Sequence, residues 1–600
     1  MNKTFKFFII FTCIFFQISS LLVSSVDSTD ILKKSIDELE ISINLEPFST
    51  IYEGDVIDCE ITGNPTKKYW CINNQTPHTS FTEGNPIIFD PEPTPLKDEY
   101  VNLTVYIENE FEKSSDTVKV SIKRIYFGDI HFHSTLSDGY NRIDEMYRNA
   151  IKDNYLDFVC LTDHAEWVDG YGDIFPISKF WLRVIFQNSL HYLIFGKKDW
   201  NIIKQKAIKY YNPGKFTTLL GFEWSASKKY PGGYINSENG SSDTCHVNFY
   251  YRDIYPDANC YSAWDAAHDL LYGRPTFNDI FKAMSDEWDN GHYNIGFSHH
   301  PQFIHINWSY LGNNVSDEIR DKVFRGVETY SAWGTGIGEL YTPDLPYNWY
   351  YPEGNLPYEN DSWVENALWI WSEKQQKNQR FALIGSSDTH LQNRPGSARP
   401  HGHEIFYSNN PSGIIAVYSV HNTREEIWDA MNNCDMYAIQ QLKIRANVRF
   451  DGKIAIGRWI NCTNPLKIQI TACSTFPGKD CSGKSMCPYF YSKEMLDFPI
   501  SDIWIIKKDN ETGKPWCKII NHTRPNSNYA SVIFEDPDVQ PNDFYYIAIR
   551  QKGDLLIPKI IQIIEKIMPN ISKKMINHRG QKDEYMAFIG PFFINNVKDN

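Results

Sequence analysis

Positive charge is what this chain is short of. Its 59 Lys and Arg are outnumbered by 74 Asp and Glu, for a net charge of -15. That balance argues against non-specific binding to nucleic acid or to an anionic membrane. It does not exclude a small anionic substrate, because a bound cation reverses the local sign. Long apolar runs are also missing after the first residues. Ile560-Ile-Gln-Ile-Ile564 is too short and interrupted to span a bilayer, so no stable membrane anchor is expected. No Cys-x-x-Cys occurs, which weakens a thiolate zinc site, and neither Gly-x-Ser-x-Gly nor His-Glu-x-x-His is present, which weakens serine-hydrolase and zincin readings. The stretch Gly478-Lys-Asp-Cys-Ser-Gly483-Lys484-Ser485 fits a phosphate-loop pattern. It follows Phe476-Pro477 and precedes Met486-Cys487-Pro488, without the strand and helix that such a loop needs. There is no internal repeat and no low-complexity tract.

Hydrophobic residues make up 42% and aromatics 15% of the 600 residues, which places the chain among globular, multidomain proteins. Met1-Asn-Lys-Thr-Phe-Lys6, the apolar Phe7–Phe16 run and the small residues up to Ser25 read as a secretory leader spanning 1–25. The expected compartment is extracellular or endolysosomal. Of the cysteines beyond the leader, Cys160 reads as a buried thiol and the other ten as five disulfides. Cys59/Cys71 and Cys245/Cys260 are the plausible local pairs. Ten Asn-x-Ser/Thr sequons, at Asn74, Asn102, Asn239, Asn307, Asn314, Asn360, Asn461, Asn510, Asn521 and Asn570, make N-glycans expected partners.

Three parts follow the leader. Residues 40–124 alternate apolar and polar with Gly and Pro turns, as in Tyr100-Val-Asn-Leu-Thr-Val-Tyr-Ile107, and read as a β-sandwich. From 125 to 440, short apolar strands ending in polar residues alternate with helical stretches, which implies a parallel sheet with its chemistry at the C-terminal strand ends, the barrel arrangement. Residues 166–215 and 331–375 read as aromatic-rich loops over the mouth. Alternation returns in 441–600, a second β-sandwich tied by cysteines.

The chemistry concentrates at the strand ends. In Gly128-Asp-Ile-His-Phe-His133 the two imidazoles are two positions apart and so share a face of a strand. At strand-like intervals follow Leu-Thr-Asp-His164, Gly-Phe-Glu223-Trp, Cys-His246-Val-Asn, Phe-Ser-His299-His300-Pro and Gly-Ser-Ser-Asp388-Thr-His390. Mixed His and carboxylate ligands suit zinc or manganese, with iron a further candidate. Asp163 either orients a ligand histidine or caps the next turn. Glu328 and Tyr330 end a strand, with Tyr330 a candidate for the pocket wall. His401 and His403 read as surface residues.

His131-Phe-His133-Ser-Thr-Leu-Ser-Asp138, Thr-Asp-His164 and Asp388-Thr-His390 resemble, in order and spacing, the motifs of the PHP (polymerase and histidinol phosphatase) superfamily. A secreted, little-characterised branch is the nearest resemblance, through Arg394-Pro-Gly, Arg424-Glu-Glu-Ile-Trp-Asp-Ala-Met431 and Met436-Tyr-Ala438. The likeness covers about residues 125–460. It implies an α/β chain, with a distorted, TIM-like β/α barrel flanked by the two β-sandwiches. It also implies two or three divalent ions. His131, His133, Glu223 and Asp388 would hold the first, Glu223 would bridge to a second with His246 and one of His299 or His300 (His299 is favoured), and Asp138, His164 and His390 would hold a third. A metal-activated water would be the nucleophile. Arg394, four positions after His390, either binds a substrate phosphate or carboxylate as a planar fork or forms a salt bridge within its loop. The implied activity is phosphoester hydrolysis of a small-molecule substrate. Metal-dependent amide or ester hydrolysis, and a non-catalytic secreted binding protein with structural metals, are the alternatives.

Overall fold

The structure, a computed structural model, describes residues 38–79, 81–82, 84–137, 139, 141–152, 156–168, 198–226, 245–261, 277–299, 315–331, 334–335, 337, 363–373, 379–390, 413–440, 443–474, 499–510, 517–552 and 584–599. The leader, the phosphate-loop lookalike, His401, His403 and the sequons at Asn239, Asn307, Asn314, Asn360 and Asn570 lie outside these residues. The chain is mixed α/β with strands in the majority. None of the described helices is long and apolar enough to cross a membrane. Two compact units are formed. One holds Met1–Ser49, Val56–Ile88 and Tyr100–Val120, and the other Thr50–Asp55, Phe89–Glu99 and Ser121–Asn600.

In the first unit Lys67–Ile72, Val101–Glu108 and the start of Lys113–Asp129 pair antiparallel in that order, and Glu40–Ile43 pairs with Cys59–Thr62. Period-two burial drives this. Val101, Leu103, Val105 and Ile107 are buried, whereas Asn102 between them is exposed. Trp70 fills the core of this unit.

The second unit is built on a circuit of strands: the part of β1 (Lys113–Asp129) from Ser121 on, β2 (Phe158–Leu161), β3 (Thr217–Ala226), β4 (Cys245–Tyr251), β5 (Asn294–His299), β6 (Phe324–Ser331) and β7 (Ala382–Gly385). β1, β2 and β3 are parallel neighbours, as are β5, β6 and β7. Just beyond β1 and β7, a parallel bridge between Phe132 and Thr389 closes the circuit. The expected parallel sheet is interrupted at β4, which runs antiparallel to both β3 and β5. That reversal brings the start of β4 level with the ends of its neighbours: His246 lies opposite Ser225 on one side and His299 on the other.

Helices cover the circuit by the usual stripe of apolar positions. Ile143–Lys152 buries Ile143, Met146, Tyr147 and Ala150, and carries Asp144 and Glu145 in its first turn, where the helix dipole favours them. The two segments expected to be loops both contain helix. Lys198–Tyr210 turns Trp200, Ile203 and Ala207 inward, and Trp363–Glu373 does so with Val364, Ala367, Leu368 and Trp371. Trp200 and Trp371 are thus core residues on helices.

Gly413–Ser419 adds to the outer edge of β1, and Met436–Gln440 pairs with it in turn. Met436–Gln440 also pairs with Glu584–Asp599, so the C-terminal strands hydrogen-bond directly to this sheet. There, Arg445–Phe450, Leu466–Cys473 and Tyr529–Asp536 form a three-stranded antiparallel sheet. Phe450 stacks on Phe592 of Glu584–Asp599 with ring centroids 4.1 Å apart.

Among the described residues no disulfide forms. Cys59, Cys71, Cys160, Cys434, Cys462 and Cys517 are free thiols. The expected Cys59/Cys71 pair does not form: both thiols are free, Cys59 opposite Ile43 and Cys71 opposite Thr104. The Cys245/Cys260 pair rests on the Cys245 side chain, which lies outside the described residues. Cys160 is a buried strand residue, its thiol pushed well up by burial.

Candidate metal centre

Beyond the end of β1 the backbone stays extended through His131 and His133, held by His131 O accepting from Asp388 N at 2.7 Å and His133 N donating to Thr389 O at 3.0 Å. Both rings are fully buried. Four ligand atoms meet here. His131 Nε2 is 3.2 Å from Glu223 Oε2 and 3.2 Å from Asp388 Oδ1, and His133 Nε2 is 3.1 Å from each of the same oxygens. The two Nε2 atoms are 3.2 Å apart.

The donor set fits a cation. A tetrahedral zinc site with arms of about 2.0 Å has ligand–ligand edges of roughly 3.3 Å. Protons alone fit poorly: each Nε2 has at most one to offer, each faces two oxygens, and two N–H groups at that separation would repel.

Glu223 turns its other oxygen to a second group. Oε1 lies 2.7 Å from His246 Nδ1, 3.0 Å from His299 Nε2 and 3.4 Å from His164 Nδ1. Ser225, two residues on and therefore on the same strand face, donates to Oε1 at 2.8 Å and sits 3.1 Å from His164 Nδ1. A third group is formed by His133, His164 and His390. The His133 ring stacks against both others, with centroids at 4.6 and 4.1 Å. The resemblance assigned Asp138 to this third group. Asp138, His300 and Arg394 lie outside the described residues; His299 is the member of its pair found in the second group.

The charges reinforce one another. Burial opposes ionisation of Glu223, yet the surrounding imidazoles, His164 and His299 foremost, hold its carboxyl well below the usual range. Burial likewise opposes charge on His131, and Asp388, Glu223 and Glu328 outweigh it, holding the ring well above its ordinary value. Asp388 has a φ of 50°, in the left-handed region that aspartate tolerates better than most residues. Such strain is characteristic of functional positions.

Several supporting residues carry no motif of their own. Asp163 neither reaches His164 nor caps the turn after it. Its carboxylate accepts from Ser134 N and Ser134 Oγ, both at 2.6 Å, and from Ser137 Oγ, bracing the turn after His133. Ser137 Oγ in turn lies 3.4 Å from His133 Nδ1. Asp129, fully buried, accepts from His131 N and Ser387 N and so ties the two strand ends together. Asp129 and Ser225 each stand two residues from a candidate ligand, and that period was the available signal. Tyr330 is buried, with its hydroxyl pushed up by desolvation.

The family described as a protein of unknown function (DUF3604) matches residues 177–233 and 373–456, a minority of the chain. A comparison with curated proteins finds no match. Among solved structures, a two-domain protein from Bacteroides vulgatus containing a predicted PHP-like metal-dependent phosphoesterase is 12% identical, covering 72% of this chain and 92% of its own, with a TM-score of 0.29. A putative metal-dependent phosphoesterase from Bifidobacterium adolescentis is 15% identical, covering 46% of this chain and 90% of its own, with a TM-score of 0.19. The β-glucuronidase of Parabacteroides merdae, 10% identical, covers 94% of this chain and 64% of its own at a TM-score of 0.15. Likenesses this loose carry no weight for activity, which must be read from the site.

Proposed function

We propose that this protein is a secreted, PHP-like, metal-dependent hydrolase acting on a small phosphoester, its strand circuit a distorted β/α barrel flanked by β-sandwich domains. One observation carries the reading: Glu223, buried to 1% exposure, presents one oxygen to His131, His133 and Asp388 and the other to His246 and His299. A shared carboxylate between two nitrogen-rich clusters is the arrangement that holds two cations side by side. Divalent ions bound there would supply Lewis-acid stabilisation of phosphoryl charge and a water acidic enough to ionise near neutral pH.

The chain's own residues set the stage for that chemistry. Asp388 and Glu223 give the first group its carboxylates, and the surrounding imidazoles hold Glu223 well below the usual carboxyl range against its burial. Asp163 holds the turn after His133 in place through the Ser134 and Ser137 hydroxyls. Buried walls exclude bulk water and so strengthen each of these interactions. The overall negative charge makes the cation cluster, rather than the surface, the place where an anionic substrate is drawn. Secretion draws support from the leader-like N-terminus and from the exposure of the sequon residues Asn74, Asn102, Asn461 and Asn510.

The test is metal analysis of the purified full chain, followed by chromogenic phosphate and acyl esters with added Mn(II) or Zn(II). Bound transition metal and chelator-sensitive phosphate release are expected. Turnover of acyl esters alone would move the reading to amide or ester hydrolysis, and bound metal without turnover of either would make the ions structural.

A further inference from the structure

We propose that Glu328 is a positioning residue that selects the ring form of His131 needed to bind a cation; this rests on the metal-dependent reading above. Glu328 lies on β6, is 1% exposed, and belongs to none of the three ligand groups. It approaches the cluster from behind. Its Oε1 is 3.7 Å from His131 Nδ1, whereas His131 Nε2 faces Glu223 and Asp388. The imidazole is thus held between carboxylates at both of its nitrogens.

A neutral imidazole carries one N–H, and which nitrogen bears it decides which lone pair is available. At 3.7 Å the Glu328 contact is electrostatic, longer than a hydrogen bond. Its sign nonetheless favours the proton at Nδ1, and that leaves Nε2 bare toward the cluster. Carboxylates behind metal-binding histidines act in this way, fixing tautomer and orientation.

Glu328 is itself held in place. Ser386 Oγ donates to the same Oε1, and the adjacent Ser387 Oγ donates to His131 O at 3.0 Å. One short segment, Ser386-Ser387-Asp388, therefore anchors Glu328, fixes the His131 backbone and supplies a carboxylate to the first group. The bland alternative is a buried carboxylate kept only for packing, satisfied by Ser386.

The two readings separate in a metal titration of the chelator-stripped full chain with Zn(II), comparing parent, E328Q, E328D, H131A and the H131A/E328Q double variant, each checked for folding by circular dichroism. Glutamine preserves volume and can still accept from Ser386, but it has no charge. A roughly tenfold weaker affinity is expected for E328Q, with E328D, which keeps the charge, between it and the parent. In the H131A background, E328Q should cost nothing further. Parental affinity in E328Q, an equal loss in E328D, or the same loss with and without His131 would overturn the proposal. A stripped parent that takes up no Zn(II) would instead sink the metal-centre reading on which it rests.

Discussion

Replacing Glu223 by glutamine should remove two ions with one substitution. Glu223 Oε2 is within 3.2 Å of His131 and His133 Nε2, and Oε1 is within 3.0 Å of His246 and His299. Loss of the charge therefore weakens both groups, whereas His246→Ala touches only the second. At a free ion concentration about a hundredfold above Kd, each filled site adds about 2.7 kcal/mol to the folded state. Two sites add about 5 kcal/mol. A unit of several hundred residues unfolds with an entropy near 1 kcal/mol per degree, from about 2.1 cal/mol/K per residue. Metal addition should then raise the melting temperature of the stripped parent by about 5 °C, that of His246→Ala by roughly half as much, and that of Glu223→Gln hardly at all. Differential scanning fluorimetry with and without Zn(II), paired with metal content per chain, reads this out. Glu223→Gln with parental metal content and a parental shift would refute the reasoning, as would loss of both ions in His246→Ala.

Three further predictions rest on single contacts. Asp163→Ala removes the carboxylate that accepts from Ser134 N and from the Ser134 and Ser137 hydroxyls, and should cost about 3 kcal/mol in urea unfolding; a cost under 1 kcal/mol would mean that the turn does not depend on this carboxylate. Trp200→Ala removes a buried ring whose Nε1 donates to Ala258 O at 2.9 Å, and should destabilise by about 3–5 kcal/mol if Lys198–Tyr210 is core helix rather than loop. His421 Nδ1 lies 2.6 Å from Glu426 Oε1, and that bond holds the imidazole above its ordinary value against partial burial. A raised folded value means that the contact's stability is fully present below the unfolded pKa of about 6.5 and fades as pH rises through the folded one. His421→Gln should therefore cost up to about 1 kcal/mol near pH 5.5 and much less in alkali; a gap that grows with pH would contradict the sign.

What sequence could and could not reveal follows from the range of each signal. The pair His131 and His133 was readable because strand geometry puts residues two apart on one face, and the rings do meet one cluster. The grouping of His246 depends on β4 running backwards between β3 and β5, which local pattern does not encode; a histidine at the start of a strand looks misplaced until the antiparallel register is known. Trp200 and Trp371 belong to helices, but their aromatic surroundings masked the helical period and suggested loops. The cysteine count points to disulfides, yet Cys59 and Cys71 are free, because an even count of thiols does not encode which of them meet. Asp163 and Glu328 act through partners distant in the chain, Ser134 and His131, which no local motif can announce.

The most direct test of the central claim is anomalous diffraction from crystals of the full chain grown with Zn(II) and measured at the zinc edge. The account predicts two peaks, one on each side of the Glu223 carboxylate, the first among His131, His133 and Asp388 and the second beside His246 and His299. An empty cluster, or zinc found only on surface residues, would contradict it.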